Sequence, residues 1–287
     1  MSLSENINFI ERVNKVQLED SDFARLSGYI TTELGIKMPD VKKTMLQCRL
    51  QKRLNDLEKN TFKEYLDFVF SKEGHAEKVV MTDIITTNKT DFYREPVHFN
   101  FMSEQIIPEY LEKPGKNILK VWSAGCSSGE EPYTIAIILS EVREKNRDFD
   151  FQILATDIST RMLHKGETAV YAEERVATVP ENLKRKYFLK SRQESNKTVR
   201  VVPDLRSRVA FGKLNFMDDD YPVKETFDII FCRNVLIYFD SKTQEAVINK
   251  LCRKLKPGGY FFLGHSESIT NYNVPLRQIK STIFKKQ

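Results

Sequence analysis

Four cysteines in 287 residues are too few and too scattered for a disulfide framework. Cys48, Cys126, Cys232 and Cys252 form no C-x-x-C pair and have no histidine cluster beside them, so a zinc site is disfavoured and no metal ligand is expected. Reduced thiols in a cytoplasmic protein are the expectation. No apolar run approaches the length of a membrane span, so direct membrane insertion is not expected. Met1 to Lys15 has no apolar h-region and carries Glu5 and Glu11, which argues against a secretory signal. Repeats and low-complexity segments are lacking too.

What is there is a globular composition, with 40% hydrophobic and 30% charged residues. The formal net charge is +5, from 45 basic and 40 acidic residues. Two stretches more than account for the excess. Val41 to Lys59 holds six basic residues against Asp56 and Glu58, and Glu181 to Lys213 holds ten against Glu181, Glu194 and Asp204. Localised positive charge suits an acidic partner surface.

From about Leu18 to Ile85 the pattern is helical. Leu46, Leu50, Leu54 and Leu57 recur at helical spacing, as do Phe62, Leu66 and Val69. Asp20-Ser21-Asp22 and Asn60-Thr61 are candidate N-caps. A polar and aromatic junction, Asn88 to Glu95, leads into a helical segment to about Leu111, broken at Pro114-Gly115. The pattern then changes. Ile118 to Trp122 and Phe151 to Ala155 read as buried parallel strands, with a helix at Thr134 to Val142 between them. Strands at Val209 to Phe211, Phe227 to Cys232, Tyr260 to Leu263 and Thr282 to Lys285 follow. A helix from Ser241 to Leu255 is expected to end at Lys256-Pro-Gly-Gly259. The order implies an α/β fold with an open, mostly parallel sheet. The stretch Glu181 to Arg208 interrupts it, and the alternation of Thr198 to Val202 predicts a small inserted β element.

Gly125 and Gly129 lie between the first strand and its helix. A dinucleotide site would carry G-x-G-x-x-G there. This loop has G-x-x-x-G followed by Glu130 and Glu131, a pair expected to repel a pyrophosphate and attract a cation such as the amino group or sulfonium of S-adenosylmethionine. Asp157 ends the second strand, where an acid can accept hydrogen bonds from ribose hydroxyls or prepare the next helix. Phe227-Asp-Ile-Ile-Phe-Cys-Arg233-Asn234 brings polar groups to the same edge of the sheet.

The segments Asn88-Lys-Thr-Asp-Phe-Tyr-Arg-Glu95, Trp122-Ser-Ala-Gly-Cys-Ser-Ser-Gly-Glu-Glu-Pro-Tyr133, Ala155-Thr-Asp-Ile158, Phe231-Cys-Arg-Asn-Val-Leu-Ile-Tyr-Phe239 and Leu263-Gly-His-Ser-Glu267 resemble, in order, the chemotaxis receptor methyltransferases of the CheR family. The resemblance runs from about Leu18 to Phe284. It implies a helical N-terminal domain (1–87) for receptor recognition. A class I, Rossmann-like S-adenosylmethionine methyltransferase domain (88–287) would follow, with a β-subdomain inserted at about 172–208. It implies that Asn88, Thr90, Arg94, Glu131, Asp157, Asn215, Phe216, Arg233 and Asn234 surround the cofactor, although leucine is common in the family where Phe216 stands. The family's basic recognition helix coincides with Lys42, Arg49, Lys52 and Arg53, which could equally form a solvated face.

The implied reaction is methyl-ester formation on glutamates of the cytoplasmic domain of methyl-accepting receptors. S-adenosylhomocysteine is the product, Arg94 positions the carboxylate and Tyr238 is a hydroxyl donor. An Arg94–Glu95 ion pair is the structural alternative. The family's inserted element can bind a C-terminal pentapeptide tether. The turn Lys190 to Lys197 lacks the glycine some tether-using relatives carry, so both outcomes stay open. A monomer is expected, and no nucleic-acid partner. A nucleic-acid methyltransferase would be expected to show Asp/Asn-Pro-Pro-Tyr/Phe where Arg233-Asn-Val-Leu-Ile-Tyr238 stands, and interleaved exposed aromatics on its basic helix. A non-catalytic adaptor that binds the cofactor is the remaining alternative.

Overall fold

The computed structural model describes residues 16–112, 118–193 and 195–287, which form two compact units divided between Thr87 and Asn88. Pro114-Gly115 lies outside the described residues.

The first unit holds helices α1 (Asp20–Leu34), α2 (Lys43–Asp56), α3 (Phe62–Val69) and α4 (His75–Ile85). Leu46, Leu50, Leu54, Phe62, Tyr65, Leu66 and Val69 are buried, whereas Leu57 is half-buried because α2 has already ended at Asp56. Thr61 caps α3: its hydroxyl accepts from Glu64 N, and the Glu64 carboxylate accepts from Asn60 N. Asp20-Ser21-Asp22 is not a cap. Glu19 is the N-cap residue of α1 and accepts no side-chain bond, while Asp20 and Asp22 sit in the first turn, where negative charge favours the helix dipole.

In the second unit, α5 (Pro96–Phe101) and α6 (Ile107–Leu111) flank a π-helical turn, Met102–Ile106. The strands are β1 (Leu119–Ala124), β2 (Phe151–Asp157), β3 (Val170–Ala172), β4 (Phe188–Lys190), β5 (Thr198–Val201), β6 (Val209–Lys213), β7 (Phe227–Cys232), β8 (Leu255–Leu263), β9 (Leu276–Lys280) and β10 (Ile283–Lys286). The seven-stranded sheet runs β6-β2-β1-β7-β8-β10-β9. Its pairs are parallel except β8–β10 and β10–β9. Helices α7 (Glu130–Lys145), α8 (Thr160–Thr168) and α11 (Ser241–Lys254) belong to its crossovers, with the shorter α9 (Glu181–Tyr187) and α10 (Pro203–Arg206) between β3 and β6.

Chain order reverses between β1 and β7, so the loops after these strands open a crevice at the carboxyl edge, the place where open α/β sheets bind ligands. The inserted element is a three-stranded antiparallel sheet, β3-β5-β4.

Lys256-Pro-Gly-Gly259 differs from expectation. It falls within β8 as a bulge: Phe227 pairs with Leu255 and Ile229 with Tyr260, so the intervening residues loop out. Strand pairing on both sides overrides the turn propensity of Pro and Gly. Strand β9 carried too little apolar alternation to be expected, every residue of it being at least partly exposed, while the short helix α8, which buries Met162 and Leu163, was not among the expected elements. The core beneath the crevice is aromatic. Trp122 is fully buried with Nε1 donating to Thr156 Oγ1 at 2.9 Å, and Phe231 stacks on Phe262 at 4.4 Å.

Candidate active site

The loop after β1 is drawn back onto β2. Gly125 N and Cys126 N both donate to Thr156 O, and Ser127 N donates to Asp157 Oδ2 at 2.8 Å. Gly125 has φ +87°, and a Cβ there would meet Val235 Cγ2 at 2.4 Å, so the loops after β1 and β7 approach as closely as glycine permits. Asp157 also accepts from Ser159 N, while Ser159 itself caps α8 through Met162 N. The acid therefore orders the loop as well as closing the strand.

Glu130 and Glu131 open α7 but diverge. Glu130 is buried, accepts from Ser128 Oγ and pairs with Arg175 at 2.6 Å. Glu131 accepts from Ser123 Oγ at 2.7 Å and from Arg233 Nη1 at 3.0 Å. The expected pair of cation-attracting carboxylates is thus offset by two arginines, and only Glu131 faces the β1–β7 crevice residues.

Arg233 is a hub. Its side chain is 2% exposed, lies over the Phe99 ring, and donates to Glu131, to Glu95 Oε2 at 3.0 Å and to Arg94 O at 2.5 Å. Asn234 takes a left-handed conformation, φ +59°, and its amide donates to Glu95 Oε1 at 3.1 Å. Burial pushes the Glu95 carboxyl up, but the Asn234 hydrogen bond and the Arg233 charge outweigh it and hold the pKa below the ordinary value. Glu95 therefore belongs to Arg233 and Asn234. Arg94 does not pair with it: the Arg94 guanidinium donates to Lys89 O at 2.8 Å.

The loop after β7 is held from below by Glu267, whose carboxylate accepts from the backbone N–H groups of Asn234, Val235, Leu236 and Gly264 at 2.6–2.9 Å. Burial raises its pKa and those four bonds oppose the rise. Tyr238 follows on the 3₁₀ turn Leu236–Tyr238, partly exposed, its hydroxyl without a hydrogen bond to the described residues.

Asn88 O accepts from Ser127 Oγ, which brings the Asn88–Thr90 segment to the glycine loop; Thr90 is buried. Asn215 and Phe216 follow β6. The Asn215 amide oxygen accepts from Met217 N, and Phe216 stands edge-on to Tyr221 and Phe239. The structure thus gathers Asn88, Thr90, Arg94, Glu131, Asp157, Arg233, Asn234 and Tyr238 around linked loops, with Asn215 and Phe216 on the next strand out. Ser123, Glu95 and Glu267 were not among the expected site residues. All three lie within the quoted motifs, and for Glu95 an acid directly after Arg94 was the available signal.

Glu95, His98 and His265 bring ligand-type atoms within 4.8 Å of one another. Arg233 on Glu95 Oε2 opposes a dication there. Burial, then the Arg233 charge, lowers the His98 pKa to about 4, so the ring is neutral at pH 7. The thiols of Cys126 and Cys232 are buried and pushed well up, which leaves them unreactive.

The basic residues of the first unit divide. Arg53 grips Glu77 with Nε and Nη2 at 2.9 and 2.6 Å and also pairs with Asp56. Arg49 donates to Ile85 O, Thr86 O and Thr87 Oγ1, closing the end of α4. Lys42 donates to Lys37 O. Lys52 is exposed and carries no ion pair among the described residues.

Comparison with known proteins matches both units. Residues 88–285 match the family described as CheR methyltransferase, SAM binding domain, and residues 21–86 match CheR methyltransferase, all-alpha domain. A chemotaxis protein methyltransferase of Borreliella burgdorferi is 39% identical over 275 residues, covering 94% of this chain and 96% of the relative. Those of Klebsiella aerogenes and Salmonella typhimurium are 36% and 34% identical, covering 91% of this chain and 87% and 88% of theirs. The chain belongs to the CheR methyltransferase family, and its cofactor is S-adenosylmethionine, bound by the domain of residues 88–285.

Proposed function

We propose that this chain esterifies glutamate side chains on the cytoplasmic domain of methyl-accepting chemotaxis receptors. The observation that carries the reading is the state of Arg94. Its neighbour Glu95 is consumed by Arg233 and Asn234, while among the described residues its own guanidinium makes one bond, to a backbone carbonyl. A cation at the crevice without a carboxylate partner suits an acceptor that brings one.

The residues fit the cofactor. Gly125 lets backbone approach it, and Asp157 and Glu131 offer acceptors for hydroxyl and amino groups. Asn88, Thr90, Asn215, Phe216 and Asn234 add amide, hydroxyl and ring surfaces. Arg94 would border it, and Arg233, nearly fully buried, would act by fixing Glu131 and Glu95. When bound, S-adenosylmethionine supplies a methyl group already activated on a sulfonium.

The acceptor carboxyl, with an ordinary pKa of about 4.3, is ionised at neutral pH and needs no general base. Arg94 orients one oxygen, Tyr238 offers a hydroxyl to the other, and bound cofactor and acceptor displace water from the crevice. Aligned reactants can account for about 7–11 kcal/mol of a barrier in favourable cases. Lys52, with Lys42, neither ion-paired among the described residues, offers positive charge for an acidic receptor helix.

The test is incubation with tritiated S-adenosylmethionine and receptor-bearing membranes, followed by alkali. Volatile methanol is expected. Base-stable label on RNA, or no transfer with cofactor bound, would overturn the reading in favour of a nucleic-acid methyltransferase or a cofactor-binding adaptor.

A further inference from the structure

The inserted sheet is tied to the cofactor loops chiefly through one charged side chain. Arg175 lies in the turn after β3, Glu173–Val176. It reaches two segments far from it in sequence. Nη1 donates to Asp91 Oδ1 at 2.9 Å, and Nη2 donates to Thr90 O at 2.5 Å and to Glu130 Oε1 at 2.6 Å. Glu130 is 1% exposed and heads α7 directly after the glycine loop. A second contact from the same strand reinforces the first: Tyr171 of β3 donates from its hydroxyl to Ser128 O at 2.7 Å. A Cβ on Gly129, φ +97°, would lie 2.9 Å from that hydroxyl. Thr178 completes the edge by donating to Phe92 O.

These bonds close a ring. Ser127 of the loop donates to Asn88 O, Asn88 leads to Thr90 and Asp91, Arg175 spans these to Glu130, and Glu130 returns to Ser128. The Asn88–Asp91 segment and the glycine loop therefore share the Arg175 guanidinium as their charged link, beside the direct Ser127–Asn88 hydrogen bond. Glu130 has Arg175 as its ion-pair partner among the described residues, so removing the guanidinium leaves a buried carboxylate uncompensated and the segment and loop held together there by the weaker Ser127–Asn88 bond.

We propose that Arg175 is a positioning residue that sets cofactor affinity by holding the Asn88–Asp91 segment against the glycine loop, and that the inserted sheet acts on the cofactor site through it. The proposal rests on the reading that Asn88 and Thr90 line the cofactor site. Only a planar fork meets all three acceptors, so lysine is a partial substitute.

The test compares Arg175→Met, Arg175→Lys and Glu130→Gln by calorimetric titration with S-adenosylhomocysteine and by steady-state methylation, with thermal melting alongside. Arg175→Met is expected to raise the Kd about tenfold, equivalent to about 1.4 kcal/mol, with Arg175→Lys between it and the wild type. The KM for S-adenosylmethionine should rise more than kcat falls. Arg175→Met in a Glu130→Gln background should cost less than in the wild type, because the buried charge is gone. A Kd within twofold of wild type in Arg175→Met, or in Arg175→Lys should the first not fold, overturns the proposal, as does a melting-point loss with Kd unmoved. An Asn88→Ala, Thr90→Val pair separates the two levels. If that pair leaves the Kd unchanged the lining assignment fails, whereas if it weakens binding and the Arg175 variants do not, only the positioning role fails.

Discussion

Arg53 stands where the family's receptor-recognition helix is basic, and a charge reversal there would ordinarily be the first probe of receptor docking. The structure makes a different prediction. Arg53 is 21% exposed, and its partner Glu77 is 6% exposed and also accepts from the Tyr65 hydroxyl at 3.0 Å. Removing one member of a buried ion pair costs about 3–5 kcal/mol. The partial exposure of Arg53 puts Arg53→Met near the lower end, about 3 kcal/mol. Replacing both partners by apolar residues removes the stranded charge, so Arg53→Met with Glu77→Leu should recover to within about 1 kcal/mol of wild type, the remainder being the buried Tyr65 hydroxyl left without an acceptor.

The assay can isolate the unit concerned. Trp122 is the sole tryptophan and is buried in the second unit, so its fluorescence follows that unit, while far-ultraviolet circular dichroism follows helices in both. In urea, Arg53→Met should move the circular dichroism transition to lower denaturant and leave the tryptophan transition in place. A stability within about 0.5 kcal/mol of wild type, the range of an ordinary surface substitution, would refute the internal assignment. Lys52→Glu is the cleaner docking probe: it should lower kcat/KM for receptor membranes and reduce its salt dependence without changing either transition.

Three further outcomes follow from the site. Arg94→Ala should lower kcat about a hundredfold, the scale of a misplaced reacting group, and undiminished turnover with tight cofactor binding would remove Arg94 from the chemistry. Gly125→Ala forces a Cβ against Val235 at a positive φ, so cofactor affinity should fall, and calorimetry showing wild-type affinity would refute the close loop contact. His98 faces Glu95, Arg233 and His265 and titrates near 4 when folded instead of 6.5, so the unfolded chain takes up the proton first. Its contribution is whole above pH 6.5 and is lost as pH falls toward 4, on the order of 2 kcal/mol between pH 7 and 5. His98→Phe should flatten that slope in urea titrations followed by tryptophan fluorescence, and an unchanged slope would refute it.

Amino-acid order alone determined most of the elements and their class. Apolar runs at Phe151 and Phe227 could only be buried strands, leucines at helical spacing could only line a helical core, and G-x-x-x-G without a third glycine excluded the dinucleotide pattern. These are local properties, set by side-chain period and backbone freedom within a few residues. The partners of charged groups were decided in three dimensions. Glu130 and Glu131 are neighbours in sequence, yet successive positions on a helix point about 100° apart, so one meets Arg175 and the other Arg233. Arg49 and Arg53 share a helical spacing with Lys42 that suggests a docking face, but both turn inward to α4, because Glu77 and the end of that helix lie within their reach. Glu95 sits beside Arg94 in the chain and bonds instead to Arg233, 138 residues away. Which acid meets which base is a property of packing distance, so only the tertiary structure settled which cations hold the fold.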